Sequence, residues 1–214
     1  MTTFIVGAHG QIGQLTTKAL AATGEKVVAG IRDQQQAATL SALGAQPQAF
    51  DLASLPAEQA IAFEGVDNVV FTAGSGGNTG YDGTLQIDLD GAIKTMIAAE
   101  QAGVKRYVIV SALYAEQRDK WAQTGIAPYY VAKYYADEWL QHRTQLDYTI
   151  LRPGVLTNAV GTGKIDLQPA AAKVKKIPRA DVAAAIVAVL KQPQTYKRVY
   201  DLVSGTTDVN TAFA

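Results

Sequence analysis

The chain has 214 residues, 48% of them apolar and 18% charged, which is enough for one sizeable core and short for two. Its 19 basic side chains are balanced by 19 acidic ones, so neither a nucleic acid nor a membrane surface would find the basic excess it needs. With no cysteine and two histidines (His9 and His142), disulfides, thiolate metal sites, thiol nucleophiles and multi-histidine metal cages are excluded, and no metal is expected.

The opening MTTFIVGAHG is an apolar strand pattern without a basic lead, so no secretory signal is expected there. No run approaches the roughly 18 apolar residues of a membrane span, and a cytoplasmic location is the expectation. In chain order, strands are predicted at Phe4–Val6, Lys26–Ile31, Gln48–Phe50, Asn68–Thr72, Arg106–Val110, Tyr148–Leu151 and Val199–Val203. They are short and rich in Val, Ile, Phe and Tyr, and several are apolar throughout, as in a sheet covered on both faces. Helices are predicted between them at Gln11–Thr23, Gln34–Leu43, Leu55–Phe63, Thr84–Ala102, Pro128–Arg143 and Arg179–Lys191. This alternation predicts an α/β fold of three α/β/α layers, a doubly wound, parallel, Rossmann-like sheet with ligands beyond the carboxyl ends of its strands. Residues 1–214 read as a single nucleotide-binding domain, in which 154–178 form a small substrate-side excursion. The stretch Asn158–Ile177, with the weakest periodicity, reads as surface.

The turn Gly7-Ala8-His9-Gly10-Gln11-Ile12-Gly13 follows the first strand and opens the first helix. Glycines at this spacing let the backbone turn tightly, approach a pyrophosphate and pack helix on strand, while the helix N-terminus offers N–H groups to the phosphates. A tight turn that merely needs positive φ is the alternative. His9 reads as an exposed loop residue rather than a catalyst. At the end of the second strand, where an acidic residue would accept from the ribose hydroxyls of NAD, stands Arg32, a planar cation suited to a 2′-phosphate. NADP(H) is therefore favoured over NAD(H), although Asp33 could turn toward the ribose and Arg32 could be a solvated strand end. Asp51 and Leu52 after the third strand, and Thr72, Ala73 and Gly74 after the fourth, are further candidate cofactor contacts.

Ser111 directly follows the strand Arg106–Val110, on the edge where sites form. On the next helix Tyr129 and Lys133 are four residues apart and share a face. An ammonium beside the phenol lowers its pKa, so that the tyrosine can pass a proton to or from a carbonyl or alcohol oxygen while Ser111 holds that oxygen. A tyrosine-rich helix simply packed on the sheet is the alternative, with Tyr130, Tyr134, Tyr135 and Trp139 alongside.

The glycine loop, Arg32, the stretch Ala102–Val108, Tyr129–Lys133 and Leu146-Asp-Tyr-Thr-Ile-Leu-Arg-Pro-Gly154 together resemble the atypical short-chain dehydrogenase/reductase family, in its NAD(P)-binding, NmrA-like and epimerase-like branch. The resemblance runs from about residue 2 to residue 203. It implies Tyr129 as acid/base, Lys133 on the nicotinamide ribose, Ser111 orienting substrate, and Pro153, Gly154, Val155 and Leu156 along the nicotinamide pocket. Arg179-Ala-Asp181 resembles the start of the family's last helix. Asp88 and Asp90 stand where the family often carries an asparagine. The expected activity is an NADP(H)-dependent oxidoreductase acting on a small carbonyl, quinone or similar acceptor. The alternatives are a non-catalytic NADP(H)-binding redox sensor and a nucleotide-sugar epimerase or dehydratase, the latter disfavoured by the short segment after Gly154. Leu113, Tyr114, Trp121 and Tyr129 are candidates for an aromatic-friendly cleft, and Lys173, Lys175, Lys176 and Arg179 for attracting an anion or forming a solvated face. The expected partner is a small-molecule substrate, and a homodimer through Thr84–Ala102 and Pro128–Arg143 is compatible with their apolar faces.

Overall fold

The computed structural model describes residues 1–77, 79–172 and 175–214. Lys173, one of the cations named above, lies outside them. Seven parallel strands form the sheet proper: β1 (Thr2–Val6), β2 (Lys26–Ile31), β3 (Gln46–Ala49), β4 (Asn68–Phe71), β5 (Arg106–Val110), β6 (Asp147–Pro153) and β10 (Arg198–Ser204). Beyond β10 two short strands, β8 (Lys164–Asp166) and β11 (Thr207–Asp208), add antiparallel, giving the order β11-β8-β10-β6-β5-β4-β1-β2-β3. A separate two-stranded parallel pair is made by β7 (Val155–Thr157) and β9 (Lys176–Pro178).

Helices α1 (Gln11–Ala21), α2 (Ala37–Ala42) and α8 (Arg179–Leu190) cover one face of the sheet. On the other lie α3 (Pro56–Ala62), α5 (Ala92–Gln101) and α7 (Ala127–Arg143). The three-layer α/β/α expectation is met because β1, β4 and β5 are apolar on both faces and bury both. α8 is apolar nearly all round, as a helix wedged between the sheet and α1 must be. The apolar faces of α5 and α7 are likewise spent on the sheet and on each other. Among the described residues no helix is long and apolar enough to cross a membrane.

Two departures from the sequence reading bear on function. The helix read as Thr84–Ala102 starts earlier, at α4 (Gly80–Gly83), and passes through a π-helical stretch, Thr84–Gly91, before α5. The wider turns bring Asp88 into the interior; π-helical insertions of this kind concentrate at functional sites. The excursion Asn158–Ile177 is not all surface: Ile165 on β8 is fully buried, and Asp181 at the start of α8 accepts from Gly163 N at 2.8 Å and Thr162 N at 3.1 Å, tying the segment down. The chain reverses between β1 and β4, so the crevice for a ligand opens there, above Gly7 and Thr72.

Candidate active site

Gly7 has φ +79°, and a methyl group on it would lie 2.5 Å from Ala73 N, so the first glycine both turns the chain and lets β1 and β4 end side by side. On Gly13 a methyl would lie 2.3 Å from the Gly7 carbonyl oxygen, which is the contact that seats α1 under the loop. Gly10 begins α1 with no side-chain cap, leaving first-turn N–H groups for an anionic ligand.

Over this loop runs a cleft of about 740 Å³ lined by Gly7, His9, Gly10, Arg32, Asp51, Leu52, Thr72, Ala73 and Gly74. A second cleft of about 520 Å³ shares Thr72, Ala73 and Gly74 with it and continues past Gln11 and Ile12 to Ser111, Tyr129 and Lys133. The shape, the glycine contacts and the uncapped helix fit a dinucleotide laid across the switch point. Asp33 is occupied elsewhere: its carboxylate accepts from Gln35 N at 2.9 Å.

Lys133 is buried, and its Nζ stands 3.1 Å from Asp88 Oδ1 and donates to Val110 O at 3.3 Å. The other Asp88 oxygen accepts from Ser75 N at 3.0 Å. Nζ lies 5.5 Å from the centre of the Tyr129 ring. Burial works against the Lys133 ammonium, but Tyr129 and Asp88 outweigh it and hold its pKa above the ordinary lysine value. The Tyr129 phenol was expected below its usual range; burial instead raises it, with Lys133 opposing.

Ser111 lines the cleft, but its hydroxyl donates to Asp137 Oδ2 at 2.9 Å. The same oxygen accepts from Arg152 Nε at 2.9 Å, and Arg152 also pairs with Glu116. Burial raises the Asp137 carboxyl to about 6 against the pull of Arg152 and Ser111. No sequence motif marks Asp137, although Tyr129, Lys133 and Asp137 recur every four residues on one face of α7. In the sequence Asp88 is marked only by standing where the family often carries an asparagine. That it meets Lys133 depends on the π-helical turn.

Several candidates fall outside both clefts. Pro153 and Gly154 are buried, Val155 points to solvent, and only Leu156 of that stretch lines a cleft. Gly154 answers a packing need, since a methyl there would lie 2.4 Å from Lys175 O. Of the expected aromatic wall only Tyr129 takes part. Leu113 and Trp121 are buried, and the Tyr114 carbonyl accepts from Trp121 Nε1 at 3.1 Å. Tyr81, Ile126 and Leu156 line the cleft instead.

A Rossmann-like sheet with a glycine loop at its switch point, and the buried Asp88–Lys133 pair beside a half-buried Tyr129, defines an NAD(P)H-binding protein with an oxidoreductase-type fold. A family model described as NAD(P)H-binding matches residues 7–193, and the chain belongs to that family. The resemblance to atypical short-chain dehydrogenase/reductases is thereby borne out. The Bacillus subtilis protein YhfK, named an uncharacterised sugar epimerase, is 44% identical over 212 residues, 98% of this chain and 97% of YhfK. A Bacillus halodurans structure, named provisionally as an NAD-dependent epimerase/dehydratase, superposes with TM-score 0.93 at 36% identity, over 100% of this chain and 98% of that one. ChuY of Escherichia coli O157:H7, an anaerobilin reductase by name, superposes with TM-score 0.75 at 29% identity, over 95% and 97% of the two chains.

Proposed function

We propose that the protein is an NADP(H)-dependent oxidoreductase acting on a small carbonyl, quinone or similar acceptor. The observation that carries the reading is the buried Asp88–Lys133 pair beside Tyr129, in a cleft continuous with the glycine loop. When bound, NADPH supplies a hydride to the acceptor's carbonyl carbon. Tyr129, kept protonated by burial, gives its phenolic proton to the carbonyl oxygen, and the Lys133 ammonium stabilises the phenolate that remains. Asp88 keeps that ammonium in place. Ser111 accepts from an alcohol in the oxidative direction; to donate to a carbonyl oxygen it must first release Asp137.

The preference for NADP(H) is supported by Arg32 lining the cofactor cleft while Asp33 is engaged on Gln35. ChuY's name favours reduction. YhfK's favours epimerisation, whereas the cleft beside Tyr129 is lined by Tyr81, Ile126 and Leu156, apolar side chains better suited to a compact acceptor than to a sugar nucleotide.

Titration with NADPH and NADH, followed by nicotinamide fluorescence, tests the cofactor. Arg32→Ala is expected to weaken NADPH by about tenfold to a hundredfold and to leave NADH nearly unchanged. Against a panel of aldehydes, ketones and quinones, Tyr129→Phe should lower turnover by roughly 10²–10⁴-fold with NADPH affinity preserved. Tight NADPH binding with no turnover of any panel member would favour the sensor, and failure to bind either nucleotide would sink both.

A further inference from the structure

The cations near the C-terminal end of the cleft are not equivalent. Lys175 Nζ donates to Ala172 O at 2.9 Å, and Lys176 is exposed on β9 away from the cleft. Arg179 lines the substrate cleft together with Tyr129 and Lys133. Its Nη1 donates to Asn158 Oδ1 at 2.7 Å, a neutral acceptor that fixes the guanidinium without neutralising it. Among the described residues Arg179 has no carboxylate partner within ion-pair distance.

Asp88 and Lys133 neutralise one another, and burial keeps the Tyr129 proton in place. Arg179 is therefore the unbalanced charge on the cleft wall. The large apolar side chains of the mouth are open to solvent, Tyr81 65% exposed and Ile126 49% exposed, with the polar Ser75 and Thr84 beside them. Leu156 lies on β7, which pairs with β9, and Arg179 follows β9 directly at the start of α8, so Leu156 and the cation are held by adjoining elements.

We propose that the acceptor carries an anionic group, a carboxylate or phosphate, on an otherwise apolar body, and that Arg179 anchors the anion while Tyr81, Ile126 and Leu156 hold the body. This rests on the reading of the cleft as the substrate site. A planar fork is suited to an oxyanion, and an apolar floor excludes the water that would compete with it.

The test is calorimetric binding of 2-naphthoate and of its neutral partner 2-naphthamide, neither of which is a carbonyl the enzyme reduces, to the protein with and without saturating NADPH. Naphthoate should bind about tenfold more tightly than the amide in the wild-type protein, and the difference should vanish in Arg179→Gln with NADPH affinity unchanged within about threefold. Equal affinity for the two, no binding of naphthoate, or persistence of the preference in Arg179→Gln overturns the proposal. So does a large loss of NADPH affinity in that variant, which would make Arg179 a ligand of the cofactor's pyrophosphate. Failure of NADPH to bind the wild-type protein would instead strike the oxidoreductase reading, and the naphthoate comparison on the unloaded protein would still decide the anion site.

Discussion

Lys133 keeps its charge in the interior because Asp88 stands 3.1 Å away and Val110 O takes a second bond. Removing one partner of such a pair strands a buried charge. Asp88→Leu is expected to cost about 3–5 kcal/mol in urea denaturation, while Tyr129→Phe, which strands nothing, should cost far less. Asp137 behaves differently, since burial lifts its carboxyl to about 6. The folded protein then holds a proton that the unfolded chain has already released, so this group's contribution is complete below about pH 4 and is lost as pH rises through about 6. Measured by urea at about pH 4 and about pH 7.5, wild-type stability relative to Asp137→Asn should fall as pH rises, and a flat difference would contradict that placement. At this scale the sequence named Ser111, Tyr129 and Lys133 but not what they touch. Ser111's bond to Asp137 crosses from β5 to α7, and no local spacing encodes it.

The elements that build the site differ in how visible they were. The glycine loop was plain because its three glycines, a strand and a helix are contiguous, and each glycine has a separate steric reason. Gly13→Ala places a methyl 2.3 Å from Gly7 O and must push α1 off the loop. It should destabilise by about 1–3 kcal/mol in denaturant and weaken NADPH as well, whereas Gly24→Ala, far from the cleft, should affect stability alone. The π-helical stretch Thr84–Gly91 carries no such mark: its composition suits an α-helix, and the wider turn is stabilised by what Asp88 meets on Lys133 and Ser75. Strands β7, β8, β9 and β11 are three residues or shorter, too brief to show a period of two, so the excursion read as featureless.

At the scale of the whole molecule, the order of seven parallel strands puts the glycine loop, Thr72 to Gly74, Ser111 and α7 along one sheet edge. A ligand that spans this edge binds only the folded chain. NADPH at about a hundredfold over its Kd should add roughly 2.7 kcal/mol, raising Tm by about 5–10 °C for a chain of this size. NADH at equal concentration should raise it less, and equal shifts would count against Arg32 as the discriminating residue. Arg106 shows how far such long-range assembly reaches. Buried on β5, it donates to Asp147 O, Thr149 Oγ1, Val189 O and Thr195 Oγ1, joining β5, β6 and the end of α8. By itself the sequence determined the layer architecture, the dinucleotide loop and the identity of the acid/base candidates, because apolar periodicity and contiguous motifs are local properties. Which carboxylates serve Lys133 and Ser111, which wall lines the cleft and which cation faces into it were decided by tertiary structure alone, because each depends on residues far apart in the chain that only the closed sheet and its covering helices bring within bonding distance.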